Sequence, residues 1–386
     1  MEFLRTDDFI TLLRELGAQP MVTANYGLAR IGSVAEAADL ASRWVRHFSV
    51  ERDFPVRYWE LGNEMYGAWE TGHTVAGKPD LTGDVYGADF RTIARAMKAV
   101  DPDIWVGAPS LPQNWGSPFS DWTPAMLPEI QDDADFLVVH EYFNTAPVDN
   151  ELTFAGVAAI RQSIDTLTAM TEQYTNRTTP FPVALTEYNV VLEGGPTVQL
   201  INGIVTGEII GEAIASGYFA LTYWDWKNEW NATAGGDHGM IAFKDPVVPD
   251  DTPRPSYYGF AVFTRAAGDH TVEAQSSDPR VKVYASRWGT AGPLALVIAN
   301  EYEEPVKLTL DIAGFEARRW NGWVLTGANL NATSVTFNGV AGPAGGGGPF
   351  PIDDIPPYAG EAGAGGAGSA ALIAVPGASL TGIVLF

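Results

Sequence analysis

Residues 57–64 read Arg57-Tyr58-Trp59-Glu60-Leu61-Gly62-Asn63-Glu64, and this stretch decides the fold. It is an apolar, aromatic-rich run that ends on an Asn-Glu pair, the pattern of a buried strand delivering polar groups at its carboxyl end. A second run, Phe181-Pro182-Val183-Ala184-Leu185-Thr186-Glu187-Tyr188, also ends on a glutamate. Buried strands of this kind belong to parallel sheets, where functional groups gather at the carboxyl ends. Two carboxylates delivered by two strands suit retaining glycoside hydrolysis. One gives and later takes a proton, and the other attacks the anomeric carbon from roughly 5–5.5 Å away.

Working outward, the segments before about Ala267 alternate between helical and short apolar stretches, which predicts a parallel α/β architecture. Helices are expected from Thr6 to Gly17, Ser33 to Phe48, Asp84 to Val100, Gly156 to Tyr174, Val198 to Ser216 and Ser256 to Arg265. Strands are expected at Pro20–Asn25, Val56–Leu61, Ile104–Ala108, Asp135–Tyr142, Pro182–Tyr188 and Tyr218–Trp226, with a loop-rich excursion holding Trp115 and Trp122. That makes about six βα units. From Gly268 onward the segments are short, β-like and separated by turns, which predicts an all-β sandwich. The expected division is residues 1–267 for the α/β part and 268–386 for the sandwich. Within the latter, the glycine-rich stretch 341–368 reads as a mobile loop unable to pack a core.

The bulk composition narrows the function. The 386 residues are 46% hydrophobic and 18% charged, as in a globular protein, with a formal charge of −24. Such an excess of negative charge argues against nucleic acid or an anionic membrane as partner, because both need basic patches. Twelve Trp and fourteen Tyr are compatible with stacking on sugar rings, although aromatics more commonly build cores. The absence of cysteine excludes disulfides, thiolate metal sites and a cysteine nucleophile. Residues 1–8 show neither a basic region nor an apolar core of an export signal, and no apolar run reaches membrane-spanning length. Oligomeric state is not fixed by the sequence, and a homo-oligomer is compatible with it.

The segment Tyr58-Trp59-Glu60-Leu61-Gly62-Asn63-Glu64-Met65-Tyr66-Gly67-Ala68-Trp69, with Thr186-Glu187-Tyr188, resembles the retaining glycoside hydrolases of clan A. It is most similar to the α-L-arabinofuranosidases of family 51. Thr6-Asp7-Asp8-Phe9 and Leu16-Gly17-Ala18-Gln19-Pro20 match that family too. The resemblance implies a (β/α)8 TIM-type barrel followed by a β-sandwich. Measured against eight βα units, the six found here leave the first two strands lacking. A truncated start is the favoured account of that shortfall, with weak or no activity expected of the isolated chain. The resemblance further implies Glu64 as general acid/base, Glu187 as nucleophile and Asn63 as a ligand of the sugar 2-hydroxyl. It places Tyr142 to orient the nucleophile and Trp224 beneath the glycone. The implied function is hydrolysis of arabinofuranosidic bonds in plant cell-wall polysaccharide, with no cofactor. A β-xylosidase or endo-glucanase specificity, or a non-catalytic carbohydrate-binding remnant, are the alternatives.

Read on their own chemistry, several of these residues keep more than one role. Glu64 needs a raised pKa to hold a proton, which desolvation by Trp59 or Trp69 would supply. His140, two residues before Tyr142, is a substrate contact or site support, a core histidine, or a metal ligand. No accompanying His, Asp or Glu spacing favours metal, so none is assigned. Asn25, at the end of the first strand, points to the same rim. His238 beside Asp237 suits a loop or a subsite equally, and Trp69, Trp115 and Trp226 are packing residues or sugar platforms. No G-x-S-x-G elbow is present to support a serine hydrolase, and the glycine-rich stretch lacks the Lys-Ser/Thr and following helix of a phosphate cradle.

Overall fold

The computed structural model describes residues 5–143, 148–361 and 371–386. The first four residues, and the part of the glycine-rich stretch from 362 onward, lie outside the described residues. The α/β part runs α1 (Thr6–Leu16), β1 (Met21–Ala24), α2 (Gly27–Ile31), α3 (Val34–Arg46), β2 (Tyr58–Leu61), α4 (Gly83–Lys98), β3 (Trp105–Pro109), α5 (Phe119–Ile130), β4 (Phe136–Phe143), α6 (Asn150–Gly156), α7 (Ala158–Tyr174), β5 (Val183–Val190), α8 (Leu200–Ser216), β6 (Ala220–Leu221) and α9 (Pro255–Arg265). Six strands form one sheet in the order β1-β2-β3-β4-β5-β6, so each follows its sequence neighbour. The first three pairings are parallel, with Met21 opposite Tyr58, Tyr58 opposite Trp105 and Gly107 opposite Phe136. β5 joins β4 through Leu137 N–H to the Pro182 carbonyl (2.9 Å), and Val191 N–H donates to Phe143 O (3.2 Å). This is an incomplete TIM-type barrel, curled and six-stranded, with β1 and β6 at its edges.

Local chemistry explains most of these elements. Ser33 caps α3 by accepting from Glu36 N–H, and Gly17 in the left-handed region closes α1. Thr6 is the first residue of α1 rather than its cap, since Arg5 holds that position without a side-chain hydrogen bond. Likewise Arg254 precedes α9, which begins at Pro255, one residue before the expected start at Ser256. The excursion after β3 contains a helix, α5, despite Pro124 and Pro128 within it. Proline reads as a breaker in sequence, yet burial of Trp122, Met126, Leu127 and Ile130 against the rest of the unit holds this helix together. The sixth strand is also shorter than Tyr218–Trp226. Beyond Leu221 the Thr222 hydroxyl donates to Thr186 O, and Trp224 N–H donates to Tyr188 O.

The remaining strands are β7 (His270–Val272), β8 (Val281–Arg287), β9 (Leu294–Asn300), β10 (Val306–Leu310), β11 (Arg319–Gly327), β12 (Val335–Phe337), β13 (Val340–Ala341), β14 (Tyr358–Glu361), β15 (Ala371–Val375) and β16 (Ser379–Leu385). Seven of them make an antiparallel sheet in the order β13-β12-β11-β16-β9-β8-β7, while β14 pairs with β11 and β10 pairs with β15. Part of the described glycine-rich stretch is packed. Gly346 to Pro349 is buried, Gly347 N–H bonds Thr333 O, and a Cβ at Gly348 would meet the Tyr258 ring at 2.4 Å. Bare backbone there packs onto α9, so glycine permits the contact.

By contacts the chain divides into two compact units, residues 1–140 with 162–185, and residues 141–161 with 186–386. In the first, Trp59, Tyr86, Phe90 and Phe136 are fully buried. In the second, α8 is apolar over nearly its whole surface, as befits a helix enclosed on all sides. Gly207 and Gly211 mark close approaches to the sheet, for a Cβ would lie 2.4 Å from Leu380 at the first and 2.3 Å from Tyr284 at the second.

Within this apolar helix stands Glu208, completely buried, with neither carboxylate oxygen hydrogen-bonded among the described residues. Burial raises its pKa well above the ordinary value, and the nearby Glu301 adds to the effect while Lys282 opposes it. A folded-state pKa above the unfolded one of about 4.3 means stability is fully present below that value. It is lost as pH rises toward the folded pKa. Glu208→Gln removes this linkage. The variant is expected to match the wild type near pH 4 and to melt several degrees higher at pH 8, each kcal/mol being about 2–4 °C in a domain of this size. A melting difference that stays the same at both pH values would show that Glu208 is not held protonated.

Candidate active site

In the first unit, Gly62 leaves the end of β2 with a positive φ, and Glu64 follows at φ +41°. A non-glycine residue in the left-handed region costs on the order of 1 kcal/mol or more, and such strain concentrates at functional positions. Three donors surround the carboxylate. The Trp69 indole N–H donates to Oε2 at 2.6 Å, the Tyr66 hydroxyl reaches Oε1 at 3.3 Å, and His140 Nδ1 lies 2.9 Å from Oε1. Gly67 makes the first of these possible. A Cβ there would sit 2.2 Å from the Trp69 ring, so only glycine lets the indole fold back. Asn63 donates to Glu70 Oε1 at 3.0 Å, and Asn25 is exposed just past the end of β1.

The protonation of Glu64 differs from the expectation. Burial does push its carboxyl up, but the His140 hydrogen bond and charge, with the Trp69 and Tyr66 donors, outweigh it and hold the group below the ordinary carboxylate value. Trp59 takes no part, since it is fully buried and its indole N–H donates to Val56 O. Trp69 therefore acts on Glu64 as a hydrogen-bond donor to the ionised form, the opposite of the desolvating role foreseen for it. As cation ligands, Glu64 and His140 would offer one oxygen and one nitrogen, and each already serves the other.

In the second unit, Glu187 lies inside β5 rather than at its end. Thr186 and Glu187 are the two half-buried positions in a strand otherwise buried throughout. The Tyr142 hydroxyl donates to Glu187 Oε2 at 2.7 Å. Against Tyr142 stands His238, ring centroids 5.9 Å apart, and burial pushes that imidazole's pKa down against the pull of Asp225 and Glu193. Asn189, buried two residues beyond Glu187, donates to the carbonyls of Trp224 (2.6 Å) and His238 (3.3 Å). It thereby ties the segments bearing those residues to β5. Trp224 and Trp226 are both largely exposed.

Two features went unread in the sequence. Arg254, itself buried, places Nη2 2.5 Å from Asp237 and 2.7 Å from Asp245, fixing the loop that carries His238. Nothing in the spacing of these three residues announces the network; Asp237 drew attention only as the neighbour of His238. The second is the aromatic group around Tyr66, which includes Trp69, Trp115, Phe119 and Trp122. Each aromatic was visible singly, but their clustering depends on α5, which the prolines concealed.

No family model matches the chain. In sequence it is similar to the intracellular exo-α-(1→5)-L-arabinofuranosidase of Streptomyces lividans, 28% identical over 172 residues, which is 42% of this chain and 25% of that protein. The match thus spans a quarter of that relative's length. In fold it is similar to the α-L-arabinofuranosidase of Thermotoga maritima, solved as an arabinose complex, with a TM-score of 0.69 at 19% identity over 99% of this chain and 78% of that one. It is also similar to a family 44 xyloglucanase of Paenibacillus polymyxa, with a TM-score of 0.68 at 14% identity over 98% and 83% of the two chains. Such structural likenesses speak for the fold. No helix among the described residues is long and apolar enough to cross a membrane.

Proposed function

We propose that this chain is a retaining glycoside hydrolase of the α-L-arabinofuranosidase type, with Glu64 as acid/base and Glu187 as nucleophile. One observation carries the proposal. His140 and Tyr142 stand two residues apart on the single strand β4, hence on the same face, and each holds one of the two glutamates. The sequence likeness to an arabinofuranosidase supports the glycone.

In the first half-reaction the Glu187 carboxylate attacks the anomeric carbon, the bond to the leaving oxygen breaks, and Glu64 gives that oxygen its proton. In the second, Glu64 takes a proton from water as the water attacks the same carbon and frees Glu187. The donors around Glu64 suit the base form needed for this second step. A bound sugar excludes water from the carboxylate, which favours the protonated form needed for the first. Tyr142 aims Glu187 by donating to Oε2. Asn25, Asn63 and Trp224 are assigned to the sugar-binding rim. The carbohydrate is the only partner the proposal requires, and no cofactor enters the chemistry.

The test is a mechanism-based arabinofuranosyl inactivator followed by peptide mass spectrometry, with nitrophenyl arabinofuranoside, xyloside and glucoside assayed in parallel. The expected result is one covalent adduct on Glu187 and preferential release from the arabinofuranoside. An adduct on Glu64 would reverse the roles, and cleavage of the xyloside or glucoside alone would replace the glycone.

A further inference from the structure

Asn63 and Glu64 are adjacent in the chain, and each is held by a side chain from one short turn that comes back to them. Glu70 Oε1 accepts from Asn63 Nδ2 at 3.0 Å, while its neighbour Trp69 donates to Glu64 Oε2. The turn that delivers both is bonded along its length. Gly67 N–H donates to Glu64 O (2.8 Å), Glu70 N–H to Gly67 O (3.1 Å) and His73 N–H to Glu70 O (3.2 Å). The buried His73 closes it with its ring, Nδ1 lying 2.9 Å from Met65 O. A carbonyl only accepts, so that nitrogen carries the proton. Leu81 N–H in turn donates to His73 O (3.0 Å), which pins the segment after Glu70 as firmly as the one before it. All of these residues belong to the first unit.

The Asn63–Glu70 contact fixes more than a position. The two ends of a primary amide are alike in shape but opposite in hydrogen bonding, so a free asparagine can turn over and exchange donor for acceptor. A carboxylate accepts and does not donate. Against Glu70, Asn63 must therefore present its nitrogen, since the reverse would bring two oxygens together. One N–H goes to Glu70, and the second N–H and Oδ1 are left in a single arrangement, with no other partner among the described residues.

We propose that Glu70 is a positioning residue for recognition of the sugar: it locks the Asn63 amide in the orientation that reads the 2-hydroxyl, and so makes the site selective for a glycone bearing that hydroxyl. The inference rests on the sugar-binding role proposed for Asn63, and Glu70 acts through the amide alone. An amide held in advance loses little freedom when substrate binds. A site built to hydrogen-bond a hydroxyl also rejects the analogue that lacks it.

The experiment measures kcat/KM for nitrophenyl arabinofuranoside and for its 2-deoxy analogue in wild type, Glu70→Leu, Asn63→Ala and the double variant. The intrinsic difference in reactivity between the two substrates cancels when their ratio is compared from protein to protein. One hydrogen bond between neutral groups is worth about a factor of five to ten. Glu70→Leu is expected to lower the ratio by about that factor, with kcat/KM for the 2-deoxy substrate changed less than about twofold. In the Asn63→Ala background, Glu70→Leu should lower it no further, because the two residues act as one. Glu70→Gln, whose carbonyl oxygen can still accept from Asn63, should recover most of the ratio. A merely structural role would depress both substrates alike and leave the ratio where it was. An unaltered ratio in Glu70→Leu therefore overturns the proposal, and so does a loss that persists undiminished in the Asn63→Ala background. If Glu70→Leu does not fold, Glu70→Ala takes its place under the same expectations. Should the wild type cleave neither substrate, calorimetric affinities for methyl arabinofuranoside and its 2-deoxy counterpart replace the rates. A ratio of affinities that falls in Glu70→Leu keeps the amide lock and discards the catalytic proposal, whereas an unchanged ratio discards both.

Discussion

Glu187→Ala is expected to lower kcat for nitrophenyl arabinofuranoside by roughly 10⁴-fold or more, the scale on which removal of a covalent nucleophile acts. The magnitude follows from what the carboxylate does. It forms and then releases a bond to the anomeric carbon, and the Tyr142 hydroxyl that donates to it is no carboxylate to take over that role. The loss alone would not distinguish a nucleophile from a group whose removal disorders β5. Azide distinguishes them. In Glu187→Ala the small anion enters the vacated space and attacks the anomeric carbon, yielding a glycosyl azide of inverted configuration. In Glu64→Ala the covalent intermediate still forms from an activated aryl leaving group, and azide gives a product of retained configuration. Rescue with inversion only for Glu187→Ala is the expected outcome. Activity in Glu187→Ala within tenfold of the wild type would remove the nucleophile, and with it the double-displacement mechanism.

The sequence made the two glutamates legible because each follows an apolar run of a buried strand, Glu64 just past β2 and Glu187 within β5, and buried strands are few and conspicuous. What holds them was hidden. His140 and Glu64 are 76 residues apart, and Tyr142 and Glu187 are 45 apart, so their pairing exists only once the parallel sheet sets the register. For Tyr142 the family likeness supplied the nucleophile as partner, whereas for His140 the roles stayed open. Trp69 shows a different limit. Its proximity to Glu64 in sequence was plain, but whether an indole shields a carboxylate or donates to it turns on where one ring edge points. Gly67 decides that by admitting the ring at 2.2 Å from where a Cβ would be. Helix α5 escaped because propensity reads proline locally, whereas Trp122, Met126, Leu127 and Ile130 bury a whole face of that helix. Glu208 was readable and passed over. Its carboxylate stands in the run from Leu200 to Gly211, every residue of which is buried, and so has no solvent-facing side to occupy.

Arg254→Met is expected to be the most destabilising single change in the second unit. The guanidinium lies between two carboxylates, Asp237 and Asp245, all three of them buried. A buried ion pair adds little over a hydrophobic replacement of the whole set, but removing one partner strands the others, at a cost of about 3–5 kcal/mol. Here two acids are stranded. Asp237 is the more vulnerable, because burial already raises its pKa and Arg254 is the main opposing influence. Asp245 keeps backbone donors from Val247 and Val248, which with Arg254 hold it below the ordinary value. The loss therefore has a sign in pH. At pH 8 both acids must stay ionised without a cation or take up protons, whereas near pH 4 protonation relieves them, so the melting deficit should be on the order of 10 °C at pH 8 and much smaller near pH 4. Adding Asp237→Asn to Arg254→Met should restore part of it, since the double variant strands one acid fewer. Activity should fall too. Asp237 precedes His238, whose ring stands against Tyr142, so a loosened loop frees the hydroxyl that aims Glu187. A single variant that melts within about a degree of the wild type at pH 8 would mean the three side chains are solvated, and that the loop bearing His238 is held by Asn189 and its backbone contacts alone.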